Sequence, residues 1–395
     1  MNLGPPLPTR SSPLDGQDLR CNALAQPCDG EGTSLTSDST AGPEHAARQF
    51  ATEGEFVGLR AHVRGHIHDT YVSTWTCGDG QRRYIHQRMN DRVFTDIPGL
   101  MHNIELVTHH LQVGAKDHSG DMTVLRLVPT RHGHPFLQHR SGPWRTYEYI
   151  DNTESFDRCE STDRAFEAAS AFGGFQARLL GLNAMDLRET LPKFFSSPHR
   201  LEQLGDAREA DVMGRVSTCR SELDFVSAHA TEVGVVEACL AANEFPARVV
   251  HGDTKLNNVL FDQDTGHARC VVDLDTCMPG YSLYDFGDLV RFTAATCDED
   301  EQDTDRAGVD LDLYDALVAG YLESAAEFLT PRERELMPFS ARLVTLTIGM
   351  RFLADHLSGD VYFKIDRPGQ NLDRAQVQFR MVEEMERHQE RMAVR

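Results

Sequence analysis

The chain is short of positive charge, has no paired cysteine motif and lacks a secretory start. Lysine and arginine number 39 against 61 aspartates and glutamates, a formal net charge of -22. That balance argues against a nucleic-acid partner, because phosphate-backbone binding needs a basic surface. It leaves room for a nucleotide, which needs only a local positive field, and its plain consequence is solubility. The nine cysteines are scattered from Cys21 to Cys297 without a C-x-x-C pair, a usage that points to reduced thiols in a cytoplasmic compartment. There is no HExxH, and His132, His134 and His139 flank a Gly-Pro turn, where solvated loop histidines are expected. No apolar run approaches membrane-spanning length, so no membrane partner is expected. Residues 1–8 have neither the basic start nor the apolar stretch of a signal peptide.

What the chain does have converges on residues 249–275. An apolar run carries in His251, Gly252 and Asp253, and Asn258 follows five positions after Asp253. A second apolar run (Val259, Leu260, Phe261), a turn over residues 262–266 and a third run (Cys270, Val271, Val272) end on Asp273-Leu274-Asp275. This reads as a tight loop followed by a hairpin whose two ends bring Asn258 and Asp273 together. A carboxamide and a carboxylate meeting there suit a hard cation such as Mg²⁺. Asp253 is placed to take a proton from a hydroxyl. Lys255, two residues on, either neutralises charge developing on a transferred group or is simply exposed; Asp275 is a further candidate contact to metal or substrate. Together these are the parts of a phosphoryl-transfer loop, in which positioning and charge neutralisation carry most of the catalysis.

At these residues the chain resembles the aminoglycoside phosphotransferase and choline kinase superfamily, and most closely its N-acetylhexosamine 1-kinase branch. The likeness rests on HGDTKLNN at 251–258, DLDTCMPG at 273–280, SLYDFGD at 282–288, GHIHDTY at 65–71 and RFLADHL at 351–357. It covers roughly residues 50 to 390. It implies an α+β, protein-kinase-like two-lobed fold, with a small antiparallel β-sheet N-lobe (46–150) and a large, mostly helical C-lobe (151–395). Residues 1–45, rich in Pro, Gly, Ser and Thr, read as a disordered tail. It further implies ATP between the lobes, Mg²⁺ on Asn258 and Asp273, and a sugar whose ring or acetamido group meets Arg351 and Tyr362. The expected product is a hexosamine 1-phosphate. Asp253 and Asp273 would lie against both substrates, with His251 and Asp285 as structural support. Asp285-Phe286-Gly287 matches the letters of the kinase metal tripeptide, but Asp273 ends the strand returning from Asn258 and is the geometric choice for the metal.

The front of the chain fits this frame with one departure. Residues 70–76 and 83–89 are β-rich runs joined as a hairpin. Gly65 and His66 stand before the first, where a glycine lets backbone N–H groups approach phosphates. The second carries no lysine where such kinases hold one. Gln87 or Arg88 must substitute, and strand alternation lets only one face the cleft; the hexosamine-kinase branch is similar in carrying Gln-Arg here. Residues 98–111 have helical spacing, and Glu105 on that helix either pairs with Arg88 or is a solvated surface glutamate. Residues 122–129 and 144–150 read as closing strands, with Glu148 and Ile150 at a hinge whose backbone would bond adenine. Phe166, Ala169, Phe172, Leu179 and Leu180, and later residues 314–325, recur at helical spacing as core stripes. An acidic pocket for a polycation would favour an aminoglycoside or amino-alcohol kinase instead; a nucleotide-binding pseudokinase is the alternative motivated by the missing lysine.

Overall fold

In the computed structural model, which describes residues 42–62, 67–78, 80–114 and 122–394, the chain opens on a short helix, α1 (Pro43–Ala47). Three strands follow: β1 (Glu55–His62), β2 (Asp69–Cys77) and β3 (Gly80–Arg88). Helix α2 (Ile97–Gly114) then crosses to β4 (Leu137–His139) and β5 (Gly142–Glu148). These strands form one antiparallel sheet in the order β1-β2-β3-β5-β4. The hairpin expected over residues 70–89 is present. The expectations for residues 1–41 and for Gly65 and His66 lie outside the described residues, whereas Pro43–Ala47, assigned above partly to the tail, is helix with Ala46 and Ala47 buried.

One face of this sheet is covered, where Ala46, Phe50, Trp75, Tyr84, Val128 and Trp144 form a separate small apolar cluster. Within the sheet His86 is fully buried between Ser73 Oγ and Thr146 Oγ1, each 2.7 Å away. Ser73 Oγ also accepts from Trp75 Nε1 at 2.7 Å, so a serine, a threonine and a tryptophan side chain close the polar contacts around the ring. Desolvation lowers the His86 pKa from 6.5 to about 3. The unfolded chain therefore takes up a proton below about pH 6.5 that the folded protein refuses until about pH 3. The stabilisation is complete above that window and is lost at about 1.4 kcal/mol per pH unit as the pH falls through it. Between pH 6.5 and 5, the wild type should lose about 2 kcal/mol more unfolding free energy than His86→Gln. Denaturant unfolding at both pH values measures this; parallel curves would assign the acid limb elsewhere.

The region expected to be strand at 122–129 is not one. Thr123 N–H donates to Arg269 O at 2.7 Å and Val128 N–H to Thr146 O at 2.8 Å, so the segment bridges two sheets rather than running along one. Pro129 has no N–H to continue a ladder.

Beyond β6 (Thr153–Glu154) the chain is mostly helical: α3 (Thr162–Arg178), α4 (Ser197–Ala210), α5 (Arg220–His229) and α6 (Val235–Ala241). Four short strands, β7 (Arg248–Val250), β8 (Val259–Asp262), β9 (Ala268–Val271) and β10 (Met278–Gly280), are followed by α7 (Ser282–Thr293), α8 (Leu311–Ala325), α9 (Pro331–Ser358), α10 (Gln370–Arg387) and α11 (Gln389–Met392). The fold is the protein-kinase-like arrangement of antiparallel sheet and helical region. Helices α3 and α8 flank the β7–β10 unit in sequence and bury Ala169, Phe172, Tyr314, Leu317, Tyr321 and Ala325; Leu180, counted above as core, is 48% exposed. A single apolar cluster runs from α2 into the helices.

Helix α9 is the longest element, and contrary to the expectation above it is long and apolar enough to cross a membrane; 78% of its most apolar window is instead buried in the fold. It begins with a capping box, Thr330 and Glu333 exchanging side-chain and backbone bonds, with Pro331 in the first turn. It ends at Gly359 in the left-handed conformation (φ 97°). Glu333 also holds Arg248 of β7 in a buried ion pair. Gly287 allows α7 to lie directly on α9, since a Cβ there would come 2.6 Å from Ser340 O.

Candidate active site

Strand β7 pairs with β10, and between them the loop and hairpin fold as a unit. Val272 N–H donates to Asn258 O at 2.9 Å, which sets Asn258 beside Asp273 at the two ends of the hairpin. His251 is fully buried, edge-on to Phe172 and Phe175, with Nε2 2.9 Å from Val272 O. Asp285, at the start of α7, accepts the N–H groups of His251 and Gly252, both at 2.8 Å, and Gln176 Nε2 at 2.6 Å. Thr254 donates its hydroxyl to Asp285 O at 2.6 Å and its N–H to Asp288 Oδ2 at 3.0 Å. The loop is thus pinned to the first two turns of α7. Gly252 is obligatory: its φ is +80°, and a Cβ would meet Phe195 Cζ at 2.7 Å and Thr276 O at 2.9 Å.

Asp253 is 25% exposed in its side chain, with Lys255 Nζ 2.8 Å from Oδ1. Asn258 Nδ2 donates to Asp253 Oδ2 at 3.1 Å and to Asp253 O at 2.8 Å. Burial alone would raise the Asp253 carboxyl, but Lys255, with His251 and Arg291 behind it, outweighs burial and holds it below the usual carboxylate range. Desolvation would likewise lower Lys255; Asp253 and Asp288 outweigh it, and the ammonium sits above its ordinary value. Asp273 adopts φ 61°, ψ 60°, which turns the chain sharply out of the hairpin. The surrounding protein, then the carboxylates of Asp275 and Asp253, push its carboxyl up to about 7 against the pull of Arg145 and His68. Because Asp273 is open to the cleft, the like charges count for more than the desolvation.

Asp275 is not free for metal or substrate. Both its oxygens are taken by the Arg145 guanidinium (Nη2 to Oδ2 at 3.0 Å, Nη1 to Oδ1) and by His68. Arg145 and Asp275 are 1% and 5% exposed. Burial opposes the ionised form of Asp275, but Arg145 and His68 overcome it and hold the carboxyl well below the usual range. Arg145 lies opposite Gln87 in the β3–β5 register and donates Nε–H to Gln87 Oε1 at 2.9 Å. Alternation therefore turns Gln87 inward and Arg88 outward, where Arg88 pairs with Asp69 and not with Glu105, which is exposed. The guanidinium against Gln87 thus comes from the neighbouring strand. Neither Arg145 nor His68 was anticipated. The signal for Arg145 was an arginine inside a run otherwise reading as buried strand; His68 lay in the GHIHDTY motif, in which His66 was chosen instead.

At the strand end Glu148 donates its N–H to Arg126 O at 3.0 Å and is exposed, while Ile150 O accepts from Thr153 Oγ1 at 2.9 Å. On the other side of the loop, Arg351 of α9 reaches Tyr362 OH at 3.4 Å, its guanidinium carbon 5.2, 5.6 and 5.4 Å from the rings of Phe194, Tyr362 and Phe363. Phe194 and Phe195, which the sequence did not single out, join this shelf to Gly252 through the Phe195 ring. The acidic run near residue 298 is held rather than free: Glu299 binds Arg291, Glu301 binds Arg306, and Asp300 accepts from Gln370 Nε2 at 2.7 Å.

The profile of the family described as "Phosphotransferase enzyme family" matches residues 62–335, a span that contains the whole loop and hairpin. The chain belongs to that family. The phosphotransferase fold is shared with an aminoglycoside phosphotransferase from Alicyclobacillus acidocaldarius (TM-score 0.53, 15% identity, 91% of this chain and 98% of that one). A microcompartment-associated aminopropanol kinase is similar at TM-score 0.51 and 18% identity over 89% and 98%. Choline kinase from Cryptosporidium parvum is similar at TM-score 0.51 and 12% identity over 87% and 94%. The structure of aminoglycoside 2'-phosphotransferase-IIIa, determined as a GDP complex, matches at TM-score 0.50 and 12% identity over 82% and 93%. The chain is thus a member of a phosphotransferase family and shares its fold with aminoglycoside and choline kinases. Among its described residues no group of three or more His, Cys, Asp or Glu is arranged to hold a metal ion.

Proposed function

We propose that this phosphotransferase transfers the γ-phosphoryl group of ATP to the anomeric hydroxyl of an N-acetylhexosamine, in a reducing, cytoplasmic compartment. The observation that carries the sugar assignment is the shelf of Arg351, Tyr362 and Phe194 beside Gly252, since a guanidinium and flat aromatics suit a ring with several hydroxyls and one apolar face. Asp253, ionised at neutral pH, accepts the hydroxyl proton as the new O–P bond forms and the bond to the departing diphosphate breaks. Lys255 steadies Asp253 and adds positive charge beside the transferred group.

The donor set fits magnesium. Asn258 spends Nδ2 on Asp253, leaving Oδ1 as its remaining polar atom, and Asp273 sits in a concentration of negative charge that a cation relieves. Two protein ligands are what Mg²⁺ takes when phosphates complete its shell. Bound there, it supplies neutralisation of the β- and γ-phosphate charge. The GDP complex of the 2'-phosphotransferase supports a nucleotide in this fold.

A second reading has its own observation. A cavity of about 180 Å³ lies beside the loop, with Asp157, Asp298 and Glu299 in its walls, and Asp157 accepts from Asn257 Nδ2 at 3.3 Å. Asp298 and Glu299 are paired with Arg158 and Arg291 of the same walls, so Asp157 is the carboxylate that suits an ammonium, and so an aminoglycoside or amino alcohol. A phosphorylation screen over free sugars, amino alcohols and aminoglycosides, with the modified oxygen identified, decides between the two. N-acetylglucosamine or N-acetylgalactosamine should yield the 1-phosphate. Phosphate only on amine acceptors would replace the sugar reading, and nucleotide binding without any turnover would make the protein a pseudokinase.

A further inference from the structure

The acceptor shelf holds two guanidiniums where the reading above needs one. Arg200, in the first turn of α4, and Arg351 share the ring of Phe194, their guanidinium carbons 5.9 and 5.2 Å from its centroid. Among the described residues neither has a carboxylate within 4.0 Å. Arg200 gives Nη1 to Gln203 Oε1 at 2.7 Å and Nη2 to Phe194 O at 3.1 Å; its Nε is buried with no partner. Among the described residues the hydrogen bond of Arg351 is the 3.4 Å contact to Tyr362 OH, beside its ring contacts.

Two acids nearby in the chain are spoken for. Asp360 is paired with Arg215. Asp355 accepts the N–H groups of Val361, Tyr362 and Phe363 and the side-chain amide of Asn371, which shapes the loop carrying Tyr362. Glu237 accepts from Ser197 N–H at 3.1 Å, at the start of α4, through one oxygen, and its other oxygen is buried without a partner. Burial, and next to it the charge of Arg351, lower the Arg200 pKa to about 10, which registers the mutual repulsion. Ring faces soften that repulsion but give a buried N–H no acceptor. In a chain with 61 acidic residues, two neighbouring arginines left without a carboxylate mark a place for a ligand's negative charge.

We propose that Arg200 and Arg351 form an oxyanion-binding subsite, so that the acceptor carries a carboxylate or phosphate besides the hydroxyl that is phosphorylated. This rests on the sugar-kinase reading and refines it. Two guanidiniums around one oxyanion offer several charge-assisted bonds in fixed geometry, and the same pair repels a polycation.

The test compares three acceptors: a neutral N-acetylhexosamine, the same sugar bearing a 3-O-lactyl carboxylate, and its 6-phosphate. One of the two acids should exceed the neutral sugar in kcat/KM by about tenfold to a hundredfold, mainly through KM, and which one it is names the source of the charge. Arg200→Gln should bring that ratio to within about twofold of unity, and Arg200→Lys should restore part of it. A loss of stability alone would lower all three acceptors together and leave the ratio intact. Neutral sugar turned over as well as both acids overturns the subsite and leaves the sugar-kinase reading standing. Calorimetry of the same three sugars without nucleotide tests the subsite independently of turnover: equal affinities, or a preference unchanged in Arg200→Gln, overturn it even if no sugar is phosphorylated.

Discussion

Asp253→Asn should reduce phosphoryl transfer by about a thousandfold or more while nucleotide affinity changes little. The isosteric amide preserves the loop, because the bonds that hold it run from Asp285 and Asp288 to backbone N–H groups and to the Thr254 hydroxyl, not through the Asp253 carboxylate. What is lost is the proton acceptor, a contribution of about 10² to 10⁴ where a side chain acts as general base, together with the partner of Lys255. Steady-state turnover measures the first effect and nucleotide titration by calorimetry the second. Transfer within tenfold of wild type would remove Asp253 from the chemistry. Equal loss of nucleotide binding would make it a structural residue.

Arg145→Met should cost about 3–5 kcal/mol of unfolding free energy, the range for removing one partner of a buried ion pair. The large value is expected because Asp275 is left charged at 5% exposure with only His68 beside it. Arg145→Lys should recover little, since one ammonium cannot reach both oxygens of Asp275 and Gln87 Oε1 together. Adding Asp275→Leu to Arg145→Met should restore part of the loss, because no unpaired charge then remains. Denaturant unfolding of the four proteins measures this. A single variant within about 1 kcal/mol of wild type would show that the pair contributes little to stability.

These two residues mark how far the sequence could be read. The loop around Asp253 was legible because its parts are close in the chain: apolar runs fix β7, β8 and β9, and the five-residue step to Asn258 with the return to Asp273 follows from a hairpin. Asp285 was legible as a support because it lies beyond the hairpin, not at its end. Arg145 was not, since the carboxylate that gives it meaning stands 130 positions away, and alternation assigns a face to a side chain without naming what packs there. The same limit made Arg88 and Glu105 look like a pair. Phe194 and Phe195 sit outside any periodic segment, so nothing local tied them to Gly252. The strand expected at 122–129 failed for a related reason: its composition is right, but its N–H groups divide between two sheets.

Helix α9 joins these regions in a way that bears on how such a protein changes. Its first turn clasps β7, the strand that leads into Asp253, and its last third bears Arg351. A drift in either end would be transmitted to the other along one continuous backbone, so the spacing between the Asp253 loop and Arg351 is held by a single part. A change in the room between them then falls to the connecting segments around Phe194 and Tyr362, which meet Arg351 outside that rod.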